Sequence, residues 1–495
     1  METVYSIRPV LAILVSLVCA VLILASGERR RNLREFWTLL AAFSKFVIVI
    51  SMLPLVMNGG VYEFTVISIV PGIPLHFRAD ALGMLFATLA SMLWIMTSVY
   101  SIGYMRGLRE HAQTRYFFCF ALCLSSAIGI AFAANLLTLF IFYEVMTIAT
   151  YPLVIHEETP EALRAGRKYL IYLFTGGVLI LLGMVITYSL TGTLSFADHG
   201  ILAGSGSAQV LRALFAMFIV GFGMKAALMP LHGWLPSAMI APTPVSALLH
   251  AVAVVKAGVF GIMRIVCNVY GTELMADIGV ALPLAIVASF TIIMASLFAL
   301  AQDNLKRRLA YSTISQLSYI ILGAALLSPS GLTGGILHIA NHGFMKITLF
   351  FCAGAIFVVT GKKNISEMNG LGRKMPVTMT MFFIAALGMC GFPPVCGFIS
   401  KWYLCMGALE AGGLFFLFML LVSSLLNVAY FFPIVFIAFF KGSEEGNKFE
   451  EAPLFMLAPL VITAIAALIM GIRPEATYQF LNMANVAVQN ILGGI

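Results

Sequence analysis

Charged residues are scarce in this sequence. Lys and Arg number 29 and Asp and Glu number 21 among 495 residues, or 10% of the chain, whereas soluble domains carry about 25%. Hydrophobic residues make up 61%, in apolar runs separated by short polar breaks. This composition excludes a water-soluble fold and predicts one continuous domain that crosses a membrane many times.

The motifs of cofactor binding are also missing. The eight cysteines are scattered through apolar runs, with no CxxC pair and no Cys/His metal spacing. No GxGxxG segment opens a helix after a strand, and no GxxxxGK[ST] segment occurs. We therefore expect that this chain itself binds no cofactor and no metal.

Apolar stretches long enough for a crossing of about 20 residues predict an all-α polytopic membrane protein with fourteen helices. Residues 61–77 alternate apolar and polar side chains around Pro71 and Pro74, which favours a short extracellular hairpin over a span. The helices are expected near residues 9–26, 36–58, 80–104, 116–133, 135–155, 162–191, 209–240, 244–269, 276–301, 304–326, 331–360, 376–407, 412–440 and 453–472.

Basic residues gather in every second predicted loop, which defines the cytoplasmic side. They are Arg29, Arg30, Arg31, Arg34, Arg106, Arg109, Arg115, Arg164, Arg167, Lys168, Lys306, Arg307, Arg308, Lys362, Lys363, Arg373, Lys374, Lys441 and Lys448. With fourteen spans, this distribution predicts that both termini face the outside. Orientation then explains most of the net charge of +8, and we expect no nucleic-acid partner.

A few charges lie inside the predicted helices, where each costs at least about 2.5–3.5 kcal/mol on insertion scales. They are Lys45, Glu144, Lys225, Lys256, Lys346 and Lys401. A static ion pair of Glu144 with Lys225 is one explanation. Packing alone needs only Ser or Thr, however, so a row of lysines with one acid favours proton transfer. For Lys45 a purely structural role is an equal alternative, because its segment AAFSKFVIVIS suggests no path.

Predicted helix eleven carries His338, His342 and Lys346 at intervals of four residues, which places them on one helix face. Histidine titrates near neutral pH, so such a stripe can pass protons through intervening water. Metal ligation and helix packing are the alternatives, and no carboxylate or cysteine lies nearby in the sequence to complete a metal site. On helix eight, His250 and Lys256 are six residues apart and are expected to face different neighbours.

Two predicted helices contain proline pairs that should interrupt them. The pairs are Pro230 and Pro236 in helix seven, and Pro393 and Pro394 in helix twelve. Lys225 precedes the first pair and Lys401 follows the second, the reversed order that an inverted repeat would give. Interrupted helices in two halves are typical of a transporter's ion site. We expect helices one to three in 1–113, five-helix repeats in 114–270 and 271–441, and helix fourteen with a short tail in 442–495.

Together these motifs resemble the antiporter-like membrane subunits shared by respiratory complex I, membrane-bound hydrogenases and Mrp-type multisubunit cation/proton antiporters. The resemblance covers nearly the whole chain. The segments that carry it are FYEVMTIATYPLV around Glu144, residues 229–260, LHIANHGFMKITLFFCAG and GFPPVCGFISKW.

The resemblance implies fourteen helices with two inverted five-helix repeats and broken helices seven and twelve. It implies that Glu144 is the helix-five acid, Lys225 its partner, Lys256 the connector and Lys401 the terminal lysine. His338, His342 and Lys346 match the link on helix eleven. Two features favour a D-type Mrp antiporter subunit, or a hydrogenase or formate-hydrogenlyase relative. They are the lysine on predicted helix twelve and the short stretch of sequence after predicted helix fourteen. Such proteins are multi-pass subunits of the prokaryotic plasma (inner) membrane.

The working hypothesis is a subunit that translocates protons, or protons and Na⁺, within a complex of other membrane subunits in the lipid bilayer. The path would run from Glu144 through Lys225 and Lys256, with His250, to the helix-eleven stripe and Lys401. One alternative is a proton-pumping subunit of a redox complex such as a complex I-like NADH:quinone oxidoreductase, a membrane-bound hydrogenase or a formate hydrogenlyase. A structural scaffold and a subunit coupled to inorganic-carbon uptake are further alternatives. The chain is not expected to be catalytic alone.

Overall fold

A computed structural model describes residues 2–70, 72–442, 449–475 and 479–493. Lys448, one of the basic loop residues, lies outside the described residues. The chain is mostly helical, at 77%, so the predicted helical class is correct for the bulk of the protein. One small sheet is added to it.

The N-terminal part contains four helices and the sheet. The helices are α1 (Arg8–Ser26), α2 (Arg31–Ile50), α3 (Leu53–Met57) and α4 (Ala81–Gly107), and the strands are β1 (Thr3–Tyr5), β2 (Val61–Val70) and β3 (Ile73–Ala79). Strands β2 and β3 pair antiparallel, which confirms the predicted hairpin, although Pro71 lies outside the described residues. Strand β1 pairs parallel with β2 and was not predicted, because three residues carry too short a pattern.

The next part of the chain forms helices α5 to α11. Their bounds are α5 (Gln113–Ala131), α6 (Leu136–Val154), α7 (Pro160–Thr191), α8 (Ala208–Ala226), α9 (Trp234–Ser237), α10 (Thr243–Ala251) and α11 (Val254–Arg264). A 3-10 turn at Ala238–Ile240 follows α9, and a π-helical segment at Ile265–Tyr270 continues α11. The segment from α10 to the π-helix is buried along its most apolar stretch, so it forms the centre of the protein.

The remaining helices are α12 to α21. Their bounds are α12 (Thr272–Asp277), α13 (Ala281–Leu300), α14 (Leu305–Ala325), α15 (Pro329–Thr360), α16 (Leu371–Lys374), α17 (Pro376–Cys390), α18 (Cys396–Glu410), α19 (Leu414–Phe440), α20 (Leu454–Ile472) and α21 (Phe480–Leu492). A 3-10 turn at Ile365–Glu367 precedes α16. Helix α21 was not predicted. It is amphipathic and buries Phe480, Ala484 and Ile491 where the chain packs against α4 and α15.

Twelve helical segments among the described residues are long and apolar enough to cross a membrane, which makes this an integral membrane protein. Two of these segments join consecutive helices, α2 with α3 and α10 with α11 and the π-helical turn. Helix α14 is not among the twelve, because polar side chains that include Arg308, Ser312 and Gln316 lower its mean hydropathy. Helices α17 and α18, of 15 residues each, are also outside that set because the predicted helix twelve is divided between them.

The two proline-containing helices are interrupted. Helix α8 ends at Ala226, and Ala227 then adopts a left-handed φ of 55° ahead of Pro230. Pro236 lies in the short α9. Helix α17 ends at Cys390 and α18 begins at Cys396, with Pro393 and Pro394 between them. Each break leaves backbone carbonyls without a helical partner, and these accept side-chain hydrogen bonds.

The predicted helix eight is also interrupted, which corrects the expectation of one continuous helix over 244–269. Helix α10 ends at Ala251 and α11 begins at Val254. Ala253 between them has φ −95° and ψ −104°, outside the helical region. Nothing in the local sequence indicates this break, because the stretch contains no proline after Pro244.

Candidate functional site

Glu144 and Lys225 lie next to each other in the first half of the chain without forming an ion pair in the described structure. Lys225, in the last turn of α8, donates to the Tyr143 carbonyl, and its Nζ lies 3.3 Å from the centroid of the Tyr143 ring. The buried Glu144 Oε1 has no hydrogen-bond partner among the described residues. A Cβ atom added at Gly177 of α7 would lie 2.5 Å from this oxygen. Glycine therefore leaves the space that the carboxylate occupies.

Lys256 and His342 connect the central helices. Lys256 lies in the first turn of α11, directly after the break in predicted helix eight. Its Nζ is 2.9 Å from His342 Nδ1 on α15, and both side chains are fully buried. His250 packs on Phe350 instead, with ring centroids 4.7 Å apart. His250 and Lys256 thus contact different residues, which both belong to α15.

The helix-eleven stripe lies on α15 and is buried along its length. The His338 and His342 rings have centroids 5.9 Å apart. His338 contacts Ser400 Oγ through Nδ1 at 2.8 Å and Gln316 Oε1 through Nε2 at 3.0 Å. His342 Nε2 has no partner among the described residues, so one ring nitrogen of the stripe stays available.

Lys346 and Lys401 are connected by three polar side chains from α14 and α19. Lys346 Nζ donates to Ser312 Oγ at 2.9 Å, and the Tyr430 hydroxyl lies 3.2 Å from Ser312 Oγ. Tyr430 also donates to Asn427 Oδ1. An amide oxygen only accepts and a hydroxyl has one proton, so the Ser312 hydroxyl is the donor toward Tyr430. All the donors in this series therefore point from Lys346 toward Asn427.

The series ends at a carbonyl that the helix break has freed. Asn427 Nδ2 and Lys401 Nζ both donate to Met389 O, at 3.1 and 2.8 Å. Met389 lies in the last turn of α17, where carbonyls lack a helical donor. The proline pair thus creates the acceptor that positions Lys401.

Sequence reasoning missed the linking residues. Ser312 and Gln316 belong to LAYSTISQLSYI, and Asn427 and Tyr430 stand in LLNVAYF. The density of polar residues in predicted helix ten was a signal for the first pair. No comparable signal marked the second pair, because an Asn and a Tyr are ordinary residues in a buried helix.

Lys45 occupies a separate site. It is fully buried, and its Nζ donates to Leu124 O at 3.0 Å and lies 4.6 Å from the centroid of the Trp94 ring. No described hydrogen bond joins it to the other buried lysines. Of the two interpretations of Lys45, the structural one fits this arrangement.

An open cavity of about 1270 Å³ borders the connection between α9 and α10. Residues 236–237 and 239–243 line it there. Glu110, Glu157 and Glu161 line one part of the wall, and basic residues that include Lys306 line another. Lys306 Nζ donates to Ala241 O at 2.5 Å. The cavity lies on the side where the basic loops gather, and it leads toward α10.

Several known proteins are similar to this chain in sequence. A family model described as "NADH:quinone oxidoreductase/Mrp antiporter, TM" matches residues 133–427. NADH-quinone oxidoreductase subunit N of Desulforudis audaxviator (strain MP104C) is 36% identical over 393 residues, which cover 76% of this chain and 78% of that protein. The D-type subunit of the Na(+)/H(+) antiporter of Alkalihalophilus pseudofirmus is 31% identical over 408 residues, covering 81% of each chain.

A solved structure has the same fold. A chain in the structure of the Mrp complex from Dietzia sp. DQ12-45-1b superimposes with a TM-score of 0.87 at 22% identity, covering 98% of this chain and 97% of that one. The family model spans more than half of the chain, and both relatives are more than 30% identical to it. The chain therefore belongs to the NADH:quinone oxidoreductase/Mrp antiporter transmembrane family, as its sequence motifs predicted.

Proposed function

We propose that this chain translocates protons, or exchanges protons for sodium ions, as one membrane subunit of a multisubunit complex. The observation that carries the proposal is the connection of Lys256, Lys346 and Lys401 to hydroxyl, imidazole and carbonyl groups inside the protein. Static packing would not need buried amines, since each one costs several kcal/mol to desolvate. Family relatives with antiporter names support the same function.

In the proposed path, protons enter at Glu144 and Lys225 and pass to Lys256. Gly258 of α11 packs so closely on α8 that an added Cβ would lie 2.3 Å from Ala226 N. Lys225 and Lys256 therefore lie near one point of contact between two helices. The buried amines would titrate as a coupled set, because holding several unpaired charges at once in a low dielectric is unfavourable.

The second half of the path uses the α15 stripe. Transfer of a proton from the Lys256 ammonium to neutral His342 moves one positive charge and separates none. His338 and His342 are close enough for a water to lie between them. The aligned donors lead a proton from Lys346 through Ser312 to Tyr430. Asn427 and Lys401 both donate to Met389 O, so the last transfer, from Tyr430 to a neutral Lys401, uses a bridging water.

Access from the cytoplasmic side is proposed through the cavity at residues 236–243. Polar and irregular backbone at membrane depth is tolerated where it lines a wet cavity. The connection between α9 and α10 supplies such backbone beside the acidic wall. A proton that arrives there is directed toward α10 and its buried His250.

We also propose that the fold contains fourteen spans with both termini outside, arranged as repeats in 114–270 and 271–441 between flanking parts in 1–113 and 442–495. Two matched caps support the repeat. Asn135 caps α6 and bridges to Ser195, while Asn304 caps α14 and bridges to Asn364. Helices α7 and α15, which lie between the members of each bridge, both have 32 residues and both begin with proline.

The partners are proposed to be other membrane subunits, in the plasma (inner) membrane of a prokaryote. The redox-driven alternative is favoured by the 36% identity to a relative named as a quinone oxidoreductase subunit. Copurification of the tagged chain followed by mass spectrometry separates the two. Antiporter subunits in the purified complex would favour exchange, and redox subunits would favour a pump.

The test of the function is transport by the intact complex in membrane vesicles. Glu144→Gln and Lys225→Ala should abolish proton movement while the complex still assembles on a native gel. Glu273→Gln, at an exposed position of α12, is the matched control and should transport normally. Replacing sodium by choline in the buffer tells whether sodium is exchanged. Undiminished transport by both the Glu144→Gln and the Lys225→Ala complexes would contradict the proposal.

A further inference from the structure

Two loops on the cavity side bring together a group of side chains that the proposed path does not use. Glu110 and His111 lie in the turn between α4 and α5, and His156 lies in the turn between α6 and α7. His156 Nε2 is 3.8 Å from Glu110 Oε2, and His111 Nδ1 is 3.9 Å from the same oxygen. One ligand atom from each residue lies within 4.8 Å of the other two.

His156 is the unusual member of the group. Its side chain is fully buried, and neither of its ring nitrogens has a hydrogen-bond partner among the described residues. Buried polar groups are almost always bonded, and an unbonded one costs about 1–3 kcal/mol. The ring stacks on His111 with centroids 4.8 Å apart. A neutral imidazole held in this way beside a carboxylate has a free lone pair that no described group of the chain uses.

We propose that Glu110, His111 and His156 bind a divalent transition-metal ion of the zinc class. Two imidazole nitrogens and one carboxylate oxygen are a donor set that zinc accepts, with a fourth position left for water. Calcium and magnesium prefer oxygen ligands alone. The proposal concerns metal binding and does not depend on the proposed transport function.

Closing the site around an ion needs a movement of His111, because the three ligand atoms lie within 4.8 Å of one another. Zinc ligands lie about 2.0–2.2 Å from the metal, so neighbouring donors on a tetrahedral ion are roughly 3.3–3.5 Å apart. The observed separations of 3.8 and 3.9 Å exceed that by a few tenths of an ångström. His111 is exposed and can rotate toward the buried ring. Glu110 also lines the cavity, which provides the route by which the ion enters and the space for its water.

The surroundings do not oppose a cation. Arg115, which lies close to His156, is engaged with the Glu158 carboxylate and the His156 carbonyl. The sequence alone predicted no metal, because the histidines of this site belong to different loops.

The test is a calorimetric titration in which zinc sulfate alone is added to the purified full-length chain in detergent. One ion should bind per chain. His111→Gln, Glu110→Gln and His156→Gln should each weaken binding by about 100-fold or more, since loss of even a supporting partner of a metal ligand costs about 10–100-fold. His199→Gln, at an exposed histidine between α7 and α8, is the matched control and should bind as the wild type does.

Cobalt provides a second measurement, because its visible absorption reports ligand number and geometry. The wild type should give a tetrahedral Co²⁺ spectrum that the ligand variants lack. If His156→Gln fails to fold, the variants at the less buried Glu110 and His111 show whether these side chains bind the metal. Absence of binding to the wild type, or binding that these two variants leave unchanged, would overturn the proposal.

Discussion

The connection between Lys346 and Lys401 passes through the Tyr430 hydroxyl, so Tyr430→Phe is the sharpest test of the proposed path. The substitution keeps the buried ring and removes only the oxygen. Asn427 Oδ1 then loses its donor, and the Ser312 hydroxyl loses its acceptor. Lys346 and Lys401 keep their own hydrogen bonds to Ser312 and Met389, so the terminal groups stay in place while the link between them is cut.

The magnitude follows from the cost of an unmade buried hydrogen bond, about 1–3 kcal/mol. If transport passes through this link, the same energy is added to the barrier for the step, which slows transport by about 5-fold to about 150-fold. The stability of the protein should fall by an amount in the same range. Ser312→Ala should cause a similar loss, and the double variant should lose little more, because both changes break one series.

The assay is proton movement in liposomes that contain the purified complex, followed with a pH-sensitive dye inside. Tyr270→Phe is the matched control. It also removes a buried hydroxyl, one that donates to Leu211 O at 2.8 Å, but it lies outside the path. Transport by Tyr270→Phe should stay near the wild-type rate. Full transport by an assembled Tyr430→Phe complex, or an equal loss in the control, would refute the reasoning.

Local geometry supports three further predictions. Gly177→Ala should displace the Glu144 carboxylate and reduce transport without preventing assembly, while Gly107→Ala, whose added Cβ finds its nearest atom at 3.4 Å, should leave transport unchanged. Asp80→Asn should lower the free energy of unfolding in detergent by about 3–5 kcal/mol. Arg264, with 2% of its side chain exposed, would lose a carboxylate that it contacts at 2.6 and 2.8 Å. An unchanged melting temperature would contradict this prediction. If both proposals hold, zinc added on the cytoplasmic side should slow transport by the wild type and not by variants that lack a metal ligand.

The positions of the helices and of the buried charges could be predicted because both depend on local sequence. An apolar run of about 20 residues predicts a span whatever its neighbours are. The interruptions near Pro230 and Pro393 were predictable because each is marked by two prolines with glycines beside them, whereas the single prolines Pro152, Pro433 and Pro459 lie inside continuous helices. A charge within an apolar run is visible in the sequence alone, as Glu144 and Lys256 are.

The contacts between helices could not be predicted in the same way. Tyr430 and Ser312 are separated by 118 residues, and only packing brings them together. No proline near Ala253 indicates the break in the helix there. The pairing expected between Glu144 and Lys225 also depends on side-chain orientation: the amine turns to the Tyr143 carbonyl instead. A single sequence does not show which acceptor the Lys225 amine contacts.

The two halves of the proposed path differ in how firmly their charged groups are held. Lys346 and Lys401 each have two hydrogen-bond acceptors within 3.3 Å. Glu144 Oε1 has no partner among the described residues, and only the absence of a side chain at Gly177 makes room for it. A carboxylate without fixed hydrogen bonds moves at lower cost than a bonded amine, because no bond is broken. Within the proposed function, the Glu144 end is therefore the part that a neighbouring subunit's charge can control, and the fixed lysines respond to the proton that it sends.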